Sequence, residues 1–117
     1  MKKTYYLSSC STCLRILKEL PQDDFVLQDI KHAPVTAPQL DEMFALTASY
    51  EALFSKRAIK YKSMGLKDEN LQEEDFKRLL LQEYTFLKRP VFLLDQTIFI
   101  GNSKKVIESL KAYLSNE

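Results

Sequence analysis

The chain has 117 residues, 45% of them hydrophobic, and sets 17 basic side chains against 16 acidic ones for a formal charge of +1. That length and apolar content suit one domain, residues 1–117, with a core large enough to need no covalent staples. A charge so near zero gives no overall pull toward nucleic acid or membrane, and two glycines without a G-x-G-x-x-G give no dinucleotide fingerprint.

The N-terminal run Met1-Lys2-Lys3-Thr4-Tyr5-Tyr6-Leu7 passes straight into a strand pattern, with no apolar leader core and no cleavage site. No apolar stretch approaches membrane-spanning length. The expectation is a cytoplasmic protein with no membrane partner and no direct nucleic acid partner. In that compartment thiols stay reduced and a cysteine pair is more often catalytic than structural.

Thr4 to Leu7 reads as the first strand, and the only two cysteines follow in Ser8-Ser9-Cys10-Ser11-Thr12-Cys13, where strand gives way to helix. A C-x-x-C at a β–α start is a thioredoxin-like redox signal. With Ser11 opening the helix, Cys10 lies at its N-terminus, where unsatisfied backbone N–H groups and the positive end of the dipole favour a thiolate. Cys10 is therefore the expected nucleophile. Cys13, about one turn further on, is near enough to attack a mixed disulfide on Cys10, which makes it the resolving thiol. The backbone N–H groups of Ser11, Thr12 and Cys13 would help to hold an anionic substrate.

Three other readings compete for this pair. A zinc site needs four ligands, and the chain adds only His32, so metal would require carboxylates or a second chain. Both cysteines could be small buried apolar residues, although the hydroxyl-rich surroundings from Ser8 to Thr12 argue against a greasy setting. A permanent disulfide here would close too short a loop to constrain the unfolded chain much.

Leu14, Leu17 and Leu20 fall along one side of the first helix, which is expected to end before Pro21, and Phe25-Val26-Leu27 forms the second strand. His32 lies in a loop that ends at Pro34 and has no sequence neighbour that would make it a base, so it is given no role. Thr36-Ala37-Pro38-Gln39 has the capping-box arrangement, continued as an amphipathic helix by Leu40, Met43, Phe44 and Thr47. Leu53, Phe54, Ala58 and Tyr61 suggest another helix closing near Gly65, and Phe76, Leu79, Leu80 and Tyr84 a third. The basic cluster Lys56, Arg57, Lys60 and Lys62 reads as a solvated helix face, and the acidic run from Asp68 to Asp75 as a complement to a helix dipole.

Val91 to Leu94 and Thr97 to Ile100 make a hairpin. Its Asp95-Gln96 connection lacks the usual turn residues, so a loop longer than two residues is expected. Ser103 caps a last helix whose Val106, Ile107, Leu110, Tyr113 and Leu114 form an apolar stripe for one face of the sheet. No linker or internal repeat interrupts this α/β pattern.

The chain resembles the arsenate reductase and Spx-type proteins over nearly its whole length. The marks are Cys10-Ser11-Thr12-Cys13, then Leu53-Phe54-Ser55-Lys56-Arg57 leading to Tyr61-Lys62-Ser63-Met64-Gly65-Leu66, then Lys88-Arg89-Pro90-Val91 and Ile100-Gly101-Asn102. What the resemblance implies is a thioredoxin-like α/β fold: a mixed four-stranded sheet with flanking helices and an all-helical insertion of about 36–86 between strands 2 and 3. It also implies a cis Pro90 facing the nucleophile and an Arg89 near Cys10, able to lower its pKa and to bind an oxyanion or carboxylate. Without the resemblance, Arg89 reads as a surface arginine and Pro90 as a plain strand start.

Activity is implied along two branches. The first is a thiol-disulfide oxidoreductase that reduces a disulfide, or arsenate, with glutathione and glutaredoxin or thioredoxin as electron donor and no bound cofactor. Members that reduce arsenate with a single essential cysteine place an arginine directly after the position of Cys13, where this chain has Leu14 and then Arg15. They also set three arginines around the oxyanion, and the matching positions here are Ser55, Arg89 and Asn102. The second branch is a regulator in which the C-x-x-C pair acts as a redox switch and the protein itself binds the RNA polymerase α subunit.

Overall fold

The computed structural model describes residues 2–20 and 25–115. Pro21, at the expected end of the first helix, lies outside them. The elements are β1 (Lys2–Tyr6), α1 (Ser11–Lys18), β2 (Phe25–Asp29), α2 (Ala37–Thr47), α3 (Ile59–Ser63), α4 (Glu73–Gln82), β3 (Val91–Leu94), β4 (Thr97–Ile100) and α5 (Lys104–Ser115). Single 3₁₀ turns add Glu51–Leu53, Leu66–Asp68 and Tyr84–Phe86.

The chain forms two compact units, one running up to Ala33 and resuming at Arg89, the other Pro34–Lys88. In the first, the strands lie in the order β2-β1-β3-β4, with β2 parallel to β1 and the other neighbours antiparallel. This is the mixed four-stranded sheet of the expected fold. Phe92 and Leu94 point from β3 to one face, where Ile16, Leu17 and Leu20 from the α1 segment and Ile107 and Leu110 from α5 pack with them. Ser103 caps α5, its Oγ accepting the N–H of Val106 at 3.2 Å.

Three local differences from the sequence reading have physical causes. The buried stripe of α1 is Cys13, Ile16, Leu17 and then Leu20, a spacing of three, four and seven, so Leu14 is rotated off the core and left 40% exposed. The apolar run of β2 belongs to an edge strand, and Val26 and Leu27 are exposed. The hairpin closes on two residues after all, because Leu94 pairs with Thr97 and Asp95 takes a positive φ of 52°, a conformation aspartate tolerates better than most.

The second unit holds α2, α3 and α4. Thr36 and Gln39 form the expected reciprocal capping box, with bonds of 3.2 and 3.0 Å. No single helix runs from Leu53 to Gly65. Leu53 ends a 3₁₀ turn, Phe54 is extended and bridges Leu87, and Ser55 and Lys88 donate to Phe86 and Leu53 at 2.7 and 2.8 Å. Extension places Phe54 among Phe86, Phe76 and Tyr61, with ring centroids 4.8, 5.1 and 5.9 Å away, and this aromatic cluster outweighs helical spacing. Only the short α3 remains helical, and none of its residues is buried. The acidic run does more than face a dipole: the Glu73 carboxylate accepts the N–H groups of Tyr50 and Glu51, each at 3.0 Å.

Thr4, in the middle of β1, is wholly buried, and its hydroxyl has no hydrogen-bond partner among the described residues. A desolvated hydroxyl without a partner costs about 1–3 kcal/mol, and a side chain of the same shape without it avoids that cost. Thr4→Val is therefore expected to stabilise the protein by about 1 kcal/mol, raising the urea midpoint with an unchanged slope. A lowered midpoint would show that the hydroxyl is satisfied.

Candidate active site

The site begins where β1 runs out. Leu7 is buried, Ser8 and Ser9 are exposed, and the Cys10 N–H donates to the Leu7 carbonyl at 3.0 Å, closing a turn that stops the strand. Cys10 keeps an extended backbone, φ −99° and ψ 107°, and is the N-cap of α1. Its carbonyl accepts the first helical bond from Leu14 at 3.1 Å, and its Sγ accepts the N–H of Cys13 at 3.5 Å. The sulfur thus stands in for the Ser or Asp oxygen that ordinarily caps a helix. Ser11 and Thr12 form the first two helical residues, Ser11 exposed and Thr12 half-buried.

The two thiols meet opposite environments. Cys13 begins the buried stripe of α1 and is 0% exposed. Burial chiefly, together with its hydrogen bond to the Cys10 sulfur and the charge there, pushes it up to about 12, against a smaller pull from the Leu7 backbone and Arg89. Partial burial is also the largest single influence on Cys10 and would raise it. The hydrogen bonds from the Cys13 amide and thiol, with the charge and hydrogen bond of Arg89, outweigh that burial and hold Cys10 below the ordinary thiol range. Both cysteines are free thiols.

Arg89 and Pro90 lie in the turn entering β3, next to β1 in the sheet. The Arg89–Pro90 bond is cis and Pro90 is buried. Gly101, at φ 92°, donates its N–H to the Pro90 carbonyl at 2.9 Å, so the turn is tied to the end of β4. The structure therefore brings Cys10, Cys13 and Arg89 together. It leaves Arg15 and Asn102 exposed, without a described contact to either thiol. Among the described residues no group of three or more His, Cys, Asp or Glu could hold a metal ion.

One residue of this region was not singled out from the sequence. Asp29 ends β2, opposite Tyr6 at the carboxyl end of the parallel β1–β2 pair. Its Oδ1 accepts the N–H groups of Ser8 and Lys31, each at 3.2 Å, and its Oδ2 lies 3.6 Å from Nε2 of the exposed His32. Partial desolvation would raise this carboxyl, but hydrogen bonds from Ser8 and Lys31 and the nearby His32 bring it below its usual range. The available signal was topological: once β1 and β2 are read as parallel neighbours, the residue closing β2 must lie beside the loop that leaves β1.

The ArsC family model matches residues 5–110, a span that contains Cys10, Cys13, Asp29, Arg89 and Pro90. The chain belongs to the ArsC family. No curated protein matches it. Among solved structures it is similar to an ArsC family related protein from Bacteroides fragilis, at 22% identity and a TM-score of 0.77, covering 93% of this chain and 96% of that one. A structure titled as a possible arsenate reductase from Streptococcus mutans is 26% identical with a TM-score of 0.74, covering 95% and 98%. The arsenate reductase from Vibrio cholerae shares the fold at 16% identity and a TM-score of 0.72, covering 94% and 95%. The thioredoxin-like ArsC fold is therefore shared along nearly the whole chain.

The thiol geometry has a direct kinetic consequence. Because Cys10 is held below the ordinary range, its alkylation by iodoacetamide is expected to reach half its limiting rate at a lower pH than a free cysteine does, while Cys13 stays unreactive through neutral pH. Since the folded value is the lower one, ionised Cys10 contributes stability above the unfolded thiol pKa, and that contribution is lost as pH falls through the folded value. Arg89→Ala should move the half-point upward and slow alkylation at neutral pH several-fold, measured by mass spectrometry at each cysteine. An unmoved half-point would remove Arg89 from the site.

Proposed function

We propose that this ArsC-family protein is a thiol-disulfide oxidoreductase in which Cys10 is the nucleophile and Cys13 the resolving thiol. The observation that carries this reading is the division of the pair. One sulfur caps α1 and is partly accessible, with its pKa lowered; the other is buried three residues along, with its pKa pushed up to about 12.

The chemistry follows from that division. The Cys10 thiolate attacks one sulfur of a substrate disulfide; a Cys10–substrate S–S bond forms, the substrate S–S bond breaks, and the departing thiolate takes a proton from solvent. Forming that bond removes the negative charge from Cys10. Two of the three influences that raise Cys13, the bond to Cys10 and the charge there, vanish with it, so Cys13 gives up its proton more readily once there is a mixed disulfide to attack. Its thiolate then attacks the Cys10 sulfur and expels the second substrate thiolate. The product is an oxidised Cys10–Cys13 pair and a substrate reduced by two electrons. A dithiol protein such as thioredoxin, or glutathione with glutaredoxin, restores both thiols by the same exchange.

Arsenate ranks below a disulfide as substrate. By the family resemblance, Ser55 and Asn102 occupy places where arsenate-reducing members keep arginines, leaving Arg89 as the matching cation. Each charge-assisted donor to such a dianion contributes about 1.5–3 kcal/mol, so two losses weaken binding by orders of magnitude. A disulfide brings no such charge and needs only an accessible thiolate.

Turnover coupled to NADPH consumption, through a thioredoxin system and separately through a glutathione and glutaredoxin system, tests this. A disulfide substrate should be reduced by at least one system, Cys10→Ser should abolish the activity, and Cys13→Ser should accumulate a mixed disulfide on Cys10 visible by mass. Adding arsenate should change the rate little. A pair that oxidises and reduces reversibly yet drives no turnover would favour the redox-switch reading instead.

A further inference from the structure

The Leu7–Cys10 turn aims the nucleophile, and among the described residues its own backbone bond is the one from Cys10 N–H to the Leu7 carbonyl at 3.0 Å. Between those residues the Ser8 N–H points away from the turn and donates to Asp29 Oδ1 at 3.2 Å, across a sequence separation of 21. Asp29 is itself fixed on both sides. The backbone beside it continues the sheet, with the Ile30 N–H donating to the Tyr6 carbonyl at 2.9 Å, and its Oδ1 also accepts Lys31 N–H at 3.2 Å. Its side chain is only 15% exposed. A short, partly shielded carboxylate on a strand end thus grips the middle of a loop that otherwise runs through exposed serines.

From this juxtaposition we infer that Asp29 is a positioning residue for Cys10: it pins the Leu7–Cys10 turn through Ser8 and so keeps the Cys10 sulfur on the N-terminus of α1. The inference rests on Cys10 being the nucleophile, as proposed above. Asp29 works through geometry and against its own charge. An anion near the loop disfavours a second anion on Cys10, so a purely electrostatic Asp29 would slow the nucleophile, whereas a positioning Asp29 speeds it. The titratable or charged groups that face the pair are His32, which faces Asp29 from the loop after β2, Arg89, which faces Cys10 from the turn before β3, and Cys13, which faces Cys10 from α1.

The test is the pH profile of iodoacetamide alkylation at Cys10 in the full chain for wild type, Asp29→Ala, Asp29→Asn and Asp29→Glu, with alkylation of Cys13 as the gauge of folding. Asp29→Ala is expected to slow Cys10 at neutral pH about tenfold and move its half-point upward. Asp29→Asn, which keeps an acceptor oxygen at the same reach, should return the rate to within about twofold of wild type. Asp29→Glu keeps the charge but carries the acceptor one methylene further, and should be slow like Asp29→Ala. If the alanine variant exposes Cys13, the Asn and Glu variants decide alone: fast Asn with slow Glu supports positioning. Neutral variants that both speed Cys10 and lower its half-point would overturn it, as would no change in any variant. A wild type whose Cys10 reacts no faster than free cysteine would instead sink the nucleophile reading and this inference with it, a result distinct from a fast wild type with unresponsive variants.

Discussion

Everything at this site depends on where α1 begins. A helix leaves its first N–H groups without intrahelical acceptors, and here one of them, from Cys13, finds the Cys10 sulfur. A thiolate is the better acceptor of that hydrogen bond, so the cap and the ionisation favour each other. Starting the helix one residue earlier would carry Cys10 onto its first turn and end its role as the cap. The same capping bond thus helps to separate a sulfur held below the ordinary thiol range from one pushed up to about 12.

The sheet supplies the rest by bringing distant segments to one end of β1. On one side β2 runs parallel and ends at Asp29; on the other β3 runs antiparallel, so its beginning lies at the same end and delivers Arg89 and Pro90. A parallel neighbour contributes its last residue and an antiparallel neighbour its first, which is why positions 29 and 89 converge on position 10. The mixed strand order thus sets a cation and a helix terminus beside the Cys10 sulfur and a carboxylate on the loop that leads to it. All four residues of β3, the strand that carries this turn into the sheet, are buried.

Much of this was legible in the sequence. Local signals carried well: the cysteine spacing placed Cys10 at a helix start, Thr36 and Gln39 announced their capping box, and Ser103 announced the last helix. The resemblance carried the sheet and the place of Arg89, which no local rule would have separated from a surface arginine. What escaped depends on contacts remote in sequence. Phe54 fits a helical stripe until Phe76 and Phe86 are known to surround it, and the extended pairing with Leu87 then wins. Leu14 looked like core because every third residue was leucine, yet the stripe was set by Cys13, Ile16 and Leu17. Asp29 escaped because an aspartate after an apolar run reads as the end of a strand, and its partner is a backbone N–H, a group every residue but proline carries.

The burial of Cys13 resolves an apparent conflict between the readings of the pair. Treating both cysteines as small apolar core residues and treating both as redox thiols each describe half of the structure: Cys13 packs as core and Cys10 does not. An accessible second thiol would compete with the first for substrate and would be open to oxidants. A buried one, its pKa pushed up to about 12 while its neighbour is charged, would take no part in the proposed exchange until that neighbour had been consumed in a covalent bond. On the proposed mechanism the order of the two steps follows from solvation: the charge that makes Cys10 reactive is the same charge that keeps Cys13 protonated, and only reaction of the first would release the second.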